Sequence, residues 1–158
     1  MRLLAVILLA SVVASPAGAQ FIDRKDLSYA AAKAVAENAL EACKARGYAV
    51  SAVVVDRAGL TVVSLRADGA SPHTMENARR KAYTAMTFKM TTAEFVKRMA
   101  TQPVRREQTT LPNVIAIDGG VPIKAGDEVV GGIGVSGSPG VDTECVMAGM
   151  EKAKDQLQ

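Results

Sequence analysis

The chain has 158 residues, of which 49% are hydrophobic, 4% aromatic and 22% charged, with 19 basic against 16 acidic side chains. That length suits a single domain with a real core, and with no Trp, three Tyr and three Phe the core must be aliphatic. The net charge of +3 is spread along the chain without a dense Lys/Arg stripe interleaved with aromatics, so no nucleic-acid partner is expected.

Residues 1–19 read as a secretory signal: Arg2 is the positive start, Leu3 to Ala14 is apolar, and Ala17-Gly18-Ala19 offers a small-x-small cleavage site. The apolar run is too short to cross a bilayer, and no other stretch approaches about twenty apolar residues, so no membrane span is expected. The expected product is one exported domain, residues 20–158, periplasmic or secreted. Export bears on Cys43 and Cys145, which in an oxidising compartment are either bridged or two buried thiols. A bridge would close a loop of about a hundred residues, worth about 4–5 kcal/mol in the chain-entropy description. It requires the first and last helices to be neighbours.

Asp26 can cap a helix running to about Arg46, with Gly47 as its left-handed stop. Ala31, Ala32, Val35, Ala39, Ala42 and Cys43 fall on one face, opposite Lys33, Glu37, Glu41 and Lys44. Val50 to Val55 and Leu60 to Leu65 are β-branched runs joined by Asp56-Arg57-Ala58-Gly59, a hairpin signal. Ser71-Pro72 fits the start of a second helix to about Lys89, its buried face being Met75, Ala78, Ala82, Ala85 and Met86. Thr91 and Glu94 have capping-box spacing for a third helix to about Ala100. Val114 to Ile117, Val121 to Ile123 and Glu128 to Val135 read as three further strands, and Asp142 caps a last helix to about Leu157. Short turns between strands predict a mainly antiparallel sheet with helices packed on it, an α+β domain.

Gly132-Ile133-Gly134-Val135-Ser136-Gly137 spells G-x-G-x-x-G between a strand and a helix. A dinucleotide site would need this loop to open a βαβ unit, and no strand follows it. A Ser-His or Cys-His arrangement would have to recruit His73, the sole histidine, and there is no G-x-S-x-G elbow. One His and two separated Cys do not make a tetrahedral zinc site, and the absence of C-x-x-C-H excludes covalent haem attachment.

Noncovalent binding of a large, mostly apolar ligand remains. The helices from Pro72 to Ala100 carry Met75, Met86, Phe88, Met90, Phe95 and Met99 among the cations Arg79, Arg80, Lys81, Lys89, Lys97 and Arg98. Apolar area beside cations is what a tetrapyrrole with two propionates asks for; the alternative is a core face and a solvated face. His73, in the first turn of its helix, is either a ligand or a surface residue.

Several segments together resemble the GlcG/HbpS family: Val53-Val54-Val55-Asp56-Arg57-Ala58-Gly59, Arg66-Ala67-Asp68-Gly69-Ala70 and Ala78-Arg79-Arg80-Lys81-Ala82-Tyr83-Thr84-Ala85. Gly119-Gly120-Val121-Pro122-Ile123 and Val130 to Gly137 ahead of Asp142 continue the match in order. The resemblance implies a five-stranded antiparallel sheet flanked by helices, a homo-oligomer, and, for exported members, haem as ligand. It places Thr92, in Thr92-Ala93-Glu94, at a helix start near the haem region of exported members, where helix capping is the competing role. The candidate haem-binding set is therefore His73, Thr92, Arg79 and Met86, with no catalytic residue assigned. The alternative is an enzyme or accessory factor acting on a small carboxylated metabolite, with Arg66, Asp68, His73 and Glu76 converging at the strand-to-helix junction.

Overall fold

A four-stranded antiparallel sheet, in the order β2-β1-β4-β3, carries helices on both faces in the computed structural model, which describes residues 20–157. The expected signal segment, residues 1–19, lies outside the described residues. In chain order the elements are α1 (Tyr29–Lys44), β1 (Ser51–Asp56), β2 (Thr61–Arg66), α2 (His73–Phe88) and α3 (Thr92–Thr101). A 3-10 segment (Pro103–Thr110), β3 (Gly120–Ala125), β4 (Glu128–Ser136), α4 (Asp142–Lys152) and a short 3-10 turn (Lys154–Gln156) follow.

The central strand β1 is apolar at consecutive positions because both of its faces are covered. Ala52 and Val54 face a core shared with Ala32, Val35, Ala39, Ile133, Val135 and Val146, which seats α1 and α4 on one side. Val53 and Val55 face the opposite side, against Ala78 and Ala82 of α2. Two small-residue surfaces meet there. A Cβ added at Gly132 would strike the carbonyl oxygen of Ala82, at Gly134 that of Ala78, and at Gly120 that of Lys81. The glycines of the G-x-G therefore let α2 lie directly on the sheet, a packing role that leaves no space for a nucleotide.

The sheet has four strands where five were expected. Val114 to Ile117 makes no ladder, because its backbone groups bond elsewhere: Ile115 N–H donates to Thr84 Oγ1 at 2.9 Å, and the Val114 carbonyl accepts from the Arg80 guanidinium. Val114 is buried instead in a satellite cluster with Phe95 and Met99, beside the Phe88–Phe95 ring pair at 4.5 Å. β3 is thus an edge strand, which tolerates Pro122 because an edge need not donate on its outer side.

The helix starts differ in detail. Ser28 rather than Asp26 caps α1, accepting from Ala31 N–H at 3.2 Å. α2 begins at His73 with Pro72 at the cap position and no side-chain cap, so Ser71 contributes its carbonyl, not its hydroxyl, to Thr74. The capping box at Thr91 and Glu94 is present with both bonds made. Asp142 is the first residue of α4 and does not cap it; the helix ends at Lys152, short of Leu157. Cys43 and Cys145 are bridged, their Cα atoms 5.3 Å apart across a separation of 102 residues, because α1 and α4 are neighbours on one face. No helix among the described residues is long and apolar enough to cross a membrane.

Candidate functional site: two clefts at the ends of the central helix

α2 presents the residues of interest, and its two ends open onto different surfaces. At its start a cleft of about 430 Å³ is lined by His73, Asn77, Ile117, Asp118, Ser136 and Gly140. Its floor is a polar network at the base of α4. Lys81 Nζ donates to Asp142 Oδ2 at 2.7 Å and to the Val135 carbonyl at 2.9 Å, and both partners are buried, Lys81 at 1% exposure. The other oxygen of Asp142 accepts from the backbone and hydroxyl of Ser138, at 2.9 and 2.7 Å. Burying a charge costs several kcal/mol unless it is paired and hydrogen-bonded, and here each oxygen of the carboxylate is engaged.

Sequence reasoning places Lys81 among surface cations; the structure buries it. The signal was present: Lys81 lies three residues after Ala78 and four before Ala85, inside the apolar stripe of α2. What could not be read from one helix is that Asp142, far along the chain, would come to meet it.

At the other end of α2 a broader groove of about 910 Å³ is lined by Arg24, Arg57, Tyr83, Met86, Lys89 and Val129. The hairpin turn before β2 shapes one wall: Asp56 Oδ1 accepts from Ala58 and Leu60 N–H, and Gly59, at φ +79°, leaves room for the ring of Tyr83. Arg57 is the hub of this wall. Its guanidinium donates to Glu128 at 2.6 Å, to Asp26 at 3.3 Å and to the Lys25 carbonyl, strapping the segment before α1 across the sheet edge. The hydrogen bond from Arg57 holds the Glu128 carboxyl below the usual carboxylate range, and the reciprocal bond raises Arg57.

The four candidate haem-binding residues do not gather at one place. His73 is exposed at the rim of the first cleft, and Met86 is half-buried in the second. Thirteen residues of α-helix separate them, about 20 Å at 1.5 Å per residue, so one iron cannot take both from one chain. Arg79 lies between, neutralised by Glu76 through bonds of 2.9 and 2.8 Å and held also by Asn113 at 2.8 Å. The hydrogen bond with Arg79 accordingly pulls Glu76 below its ordinary value. Thr92 is fully buried, its hydroxyl accepting from Gly120 N–H at 2.8 Å and so tying α3 to β3. The alternative constellation is divided as well. Arg66 and Asp68 line a separate cleft with Leu40, Lys44 and Tyr48, apart from His73, while Glu76 is engaged by Arg79.

The family described as haem degrading protein HbpS-like matches residues 27–151. A crystal structure of HbpS is 37% identical, with 88% of this chain and 98% of that one covered at a TM-score of 0.80. A Streptomyces reticuli HbpS double mutant is 36% identical, with 90% and 97% covered at the same TM-score. A PduOC–heme complex is 25% identical, with 80% and 94% covered at a TM-score of 0.72. No curated protein matches the chain significantly. With its family signature spread over β1, α2, β3 and β4, this chain belongs to the HbpS-like family.

Proposed function

We propose that the protein is an exported, noncovalent haem-binding protein that buffers, carries or senses haem, with the Met86 groove as its site. The observation that carries the location is the composition of that groove: about 910 Å³ of space, a thioether, an aromatic and a valine, with three cations (Arg24, Arg57, Lys89) against two carboxylates (Asp127, Glu128). Pockets for sizeable ligands run from about 300 to 1,000 Å³; both clefts fall in that range, and the Met86 groove is the roomier of the two and carries the thioether beside Tyr83 and Val129. The HbpS-like family description and the heme-bound PduOC neighbour support haem as the ligand class. The Cys43–Cys145 bridge supports an oxidising compartment.

In this reading Met86 would offer its sulfur to the iron as a soft donor, Tyr83 and Val129 would pack against the ring, and the segment held by Arg57 would form one wall. Bound haem would supply an iron centre able to accept a ligand or an electron. A second reading follows from one observation: the sole imidazole of the chain lines the other cleft, and imidazole is the stronger ligand for ferric iron. Titrating the mature chain with hemin separates the two. A Soret band saturating at fixed stoichiometry is expected, with Met86→Ala changing the spectrum and His73→Ala leaving it alone. The reverse pattern moves the site to the polar cleft, and a titration no different from an unrelated protein overturns haem binding. A homo-oligomer is expected with it, read from the native mass.

A further inference from the structure

Among the described residues only two that are not glycine adopt positive φ: Asn113 and Lys89. Asn is the residue that tolerates the left-handed region best after glycine, so Asn113 needs no special account. Lys89 is different. It ends α2 at φ 56° and ψ 33°, the position where helices usually place glycine, and a lysine there carries a steric cost that glycine would not. Non-glycine residues held in this conformation cluster at functional sites. The Lys89 side chain lines the Met86 groove, is exposed, and has no ion-pair or hydrogen-bond partner among the described residues.

The charges around the groove can be weighed one by one. Arg57 and Glu128 cancel in a direct bridge, and two further donors of Arg57 go to Asp26 and the Lys25 carbonyl. Asp127 is exposed at the β3–β4 turn. Arg24 and Lys89, which have no ion-pair partner among the described residues, line the groove with one further carboxylate, Asp127. Two cations lining one groove with Tyr83, Met86 and Val129 match a ligand that has an apolar body and two carboxylates.

We infer that Arg24 and Lys89 read the two carboxylates of the ligand in the Met86 groove, making the site selective for a tetrapyrrole dicarboxylate over its neutral counterparts. This rests on the haem reading of the same groove and adds what it selects. The left-handed turn fixes where the Lys89 side chain leaves the backbone, and Arg57 ties down the carbonyl of Lys25, the residue after Arg24.

The test compares hemin with hemin dimethyl ester on the mature chain in the same dilute detergent. The expected result is hemin binding about tenfold tighter than the ester, the combined effect of two exposed ion pairs. That preference should shrink as salt is raised. Lys89→Gly relieves the left-handed strain, so its melting temperature should be unchanged or higher while the preference falls. Adding Arg24→Ala should abolish the preference, and Lys89→Arg should keep it. Equal binding of hemin and ester by the unaltered chain, or a preference that survives in the Arg24/Lys89 double variant, overturns the charge-reading assignment and leaves the haem reading standing. Absence of any hemin binding overturns both.

Discussion

Lys81 and Asp142 show how much one pair of side chains can determine. Both are buried, and the pair joins the middle of α2 to the start of α4 across the end of β4, where Lys81 also holds the Val135 carbonyl. Gly119, beside them at φ +117°, has no room for a side chain: a Cβ would lie 2.6 Å from that of Asp142 and 2.9 Å from Lys81 Nζ. Such a pair adds less than its Coulomb energy suggests, because two charges were desolvated to make it. Removing one partner is another matter, since the survivor stays buried and uncompensated. Asp142→Asn is expected to lower unfolding free energy by about 3–5 kcal/mol in a denaturant titration. Replacing both residues together by Met and Leu should recover much of that loss. If the single and double variants lose the same amount, the uncompensated charge is not the reason.

Among the elements, α3 is the one whose stability rests on its ends. Its ten residues bury Thr92, Phe95 and Met99, and its start is closed by Thr91 and Glu94 bonding reciprocally. Thr91→Ala removes the hydroxyl that caps Glu94 N–H and donates to the Glu94 carboxylate, leaving only the bond from the N–H of residue 91, which should cost about 1 kcal/mol. The bonds from Thr91 hold the Glu94 carboxyl below its ordinary value. A carboxyl lowered in the folded state stabilises that state above its unfolded value, about pH 4.3, and loses the contribution as pH falls through the folded value. The unaltered chain should therefore lose helix protection at α3 on acidification below about pH 4, and Thr91→Ala should show a shallower loss. Amide hydrogen exchange along α3 measures it. The segment after α3 shows the converse dependence on partners: Val114 to Ile117 has strand-like residues, yet Arg80 and Thr84 of α2 take its backbone groups before any strand can.

For the whole molecule, the covalent link between α1 and α4 is the largest single constraint on the unfolded chain. The two helices pack on one face of the sheet, where Gly149 lets α4 approach the backbone of Ala39 closely. Replacing Cys43 and Cys145 by Ser is expected to lower stability by about 4–5 kcal/mol, since the bridge closes a loop of 102 residues. Guanidinium unfolding with and without reductant checks this. Reductant should reproduce the loss in the parent and change nothing in the variant. A double variant as stable as the parent would mean that strain in the folded state cancels the loop-closure gain.

Elements whose cause lies within a few residues could be read in the chain itself: the β1–β2 hairpin around Asp56 and Gly59, the capping box of α3, and the alanine faces of α1 and α2. The resemblance carried by β1, α2 and the glycine-rich β4 could be read as well, because close helix-on-sheet packing demands those small residues at fixed positions. The tertiary structure decided what depends on residues distant in sequence. It put Lys81 inside, brought Cys43 to Cys145, drew Val114 away from the sheet and Thr92 under β3, and divided His73 from Met86. Periodicity tells which face of a helix is apolar. It does not tell which partner meets that face or which surface each end opens onto, since those are settled by packing between elements far apart in the chain.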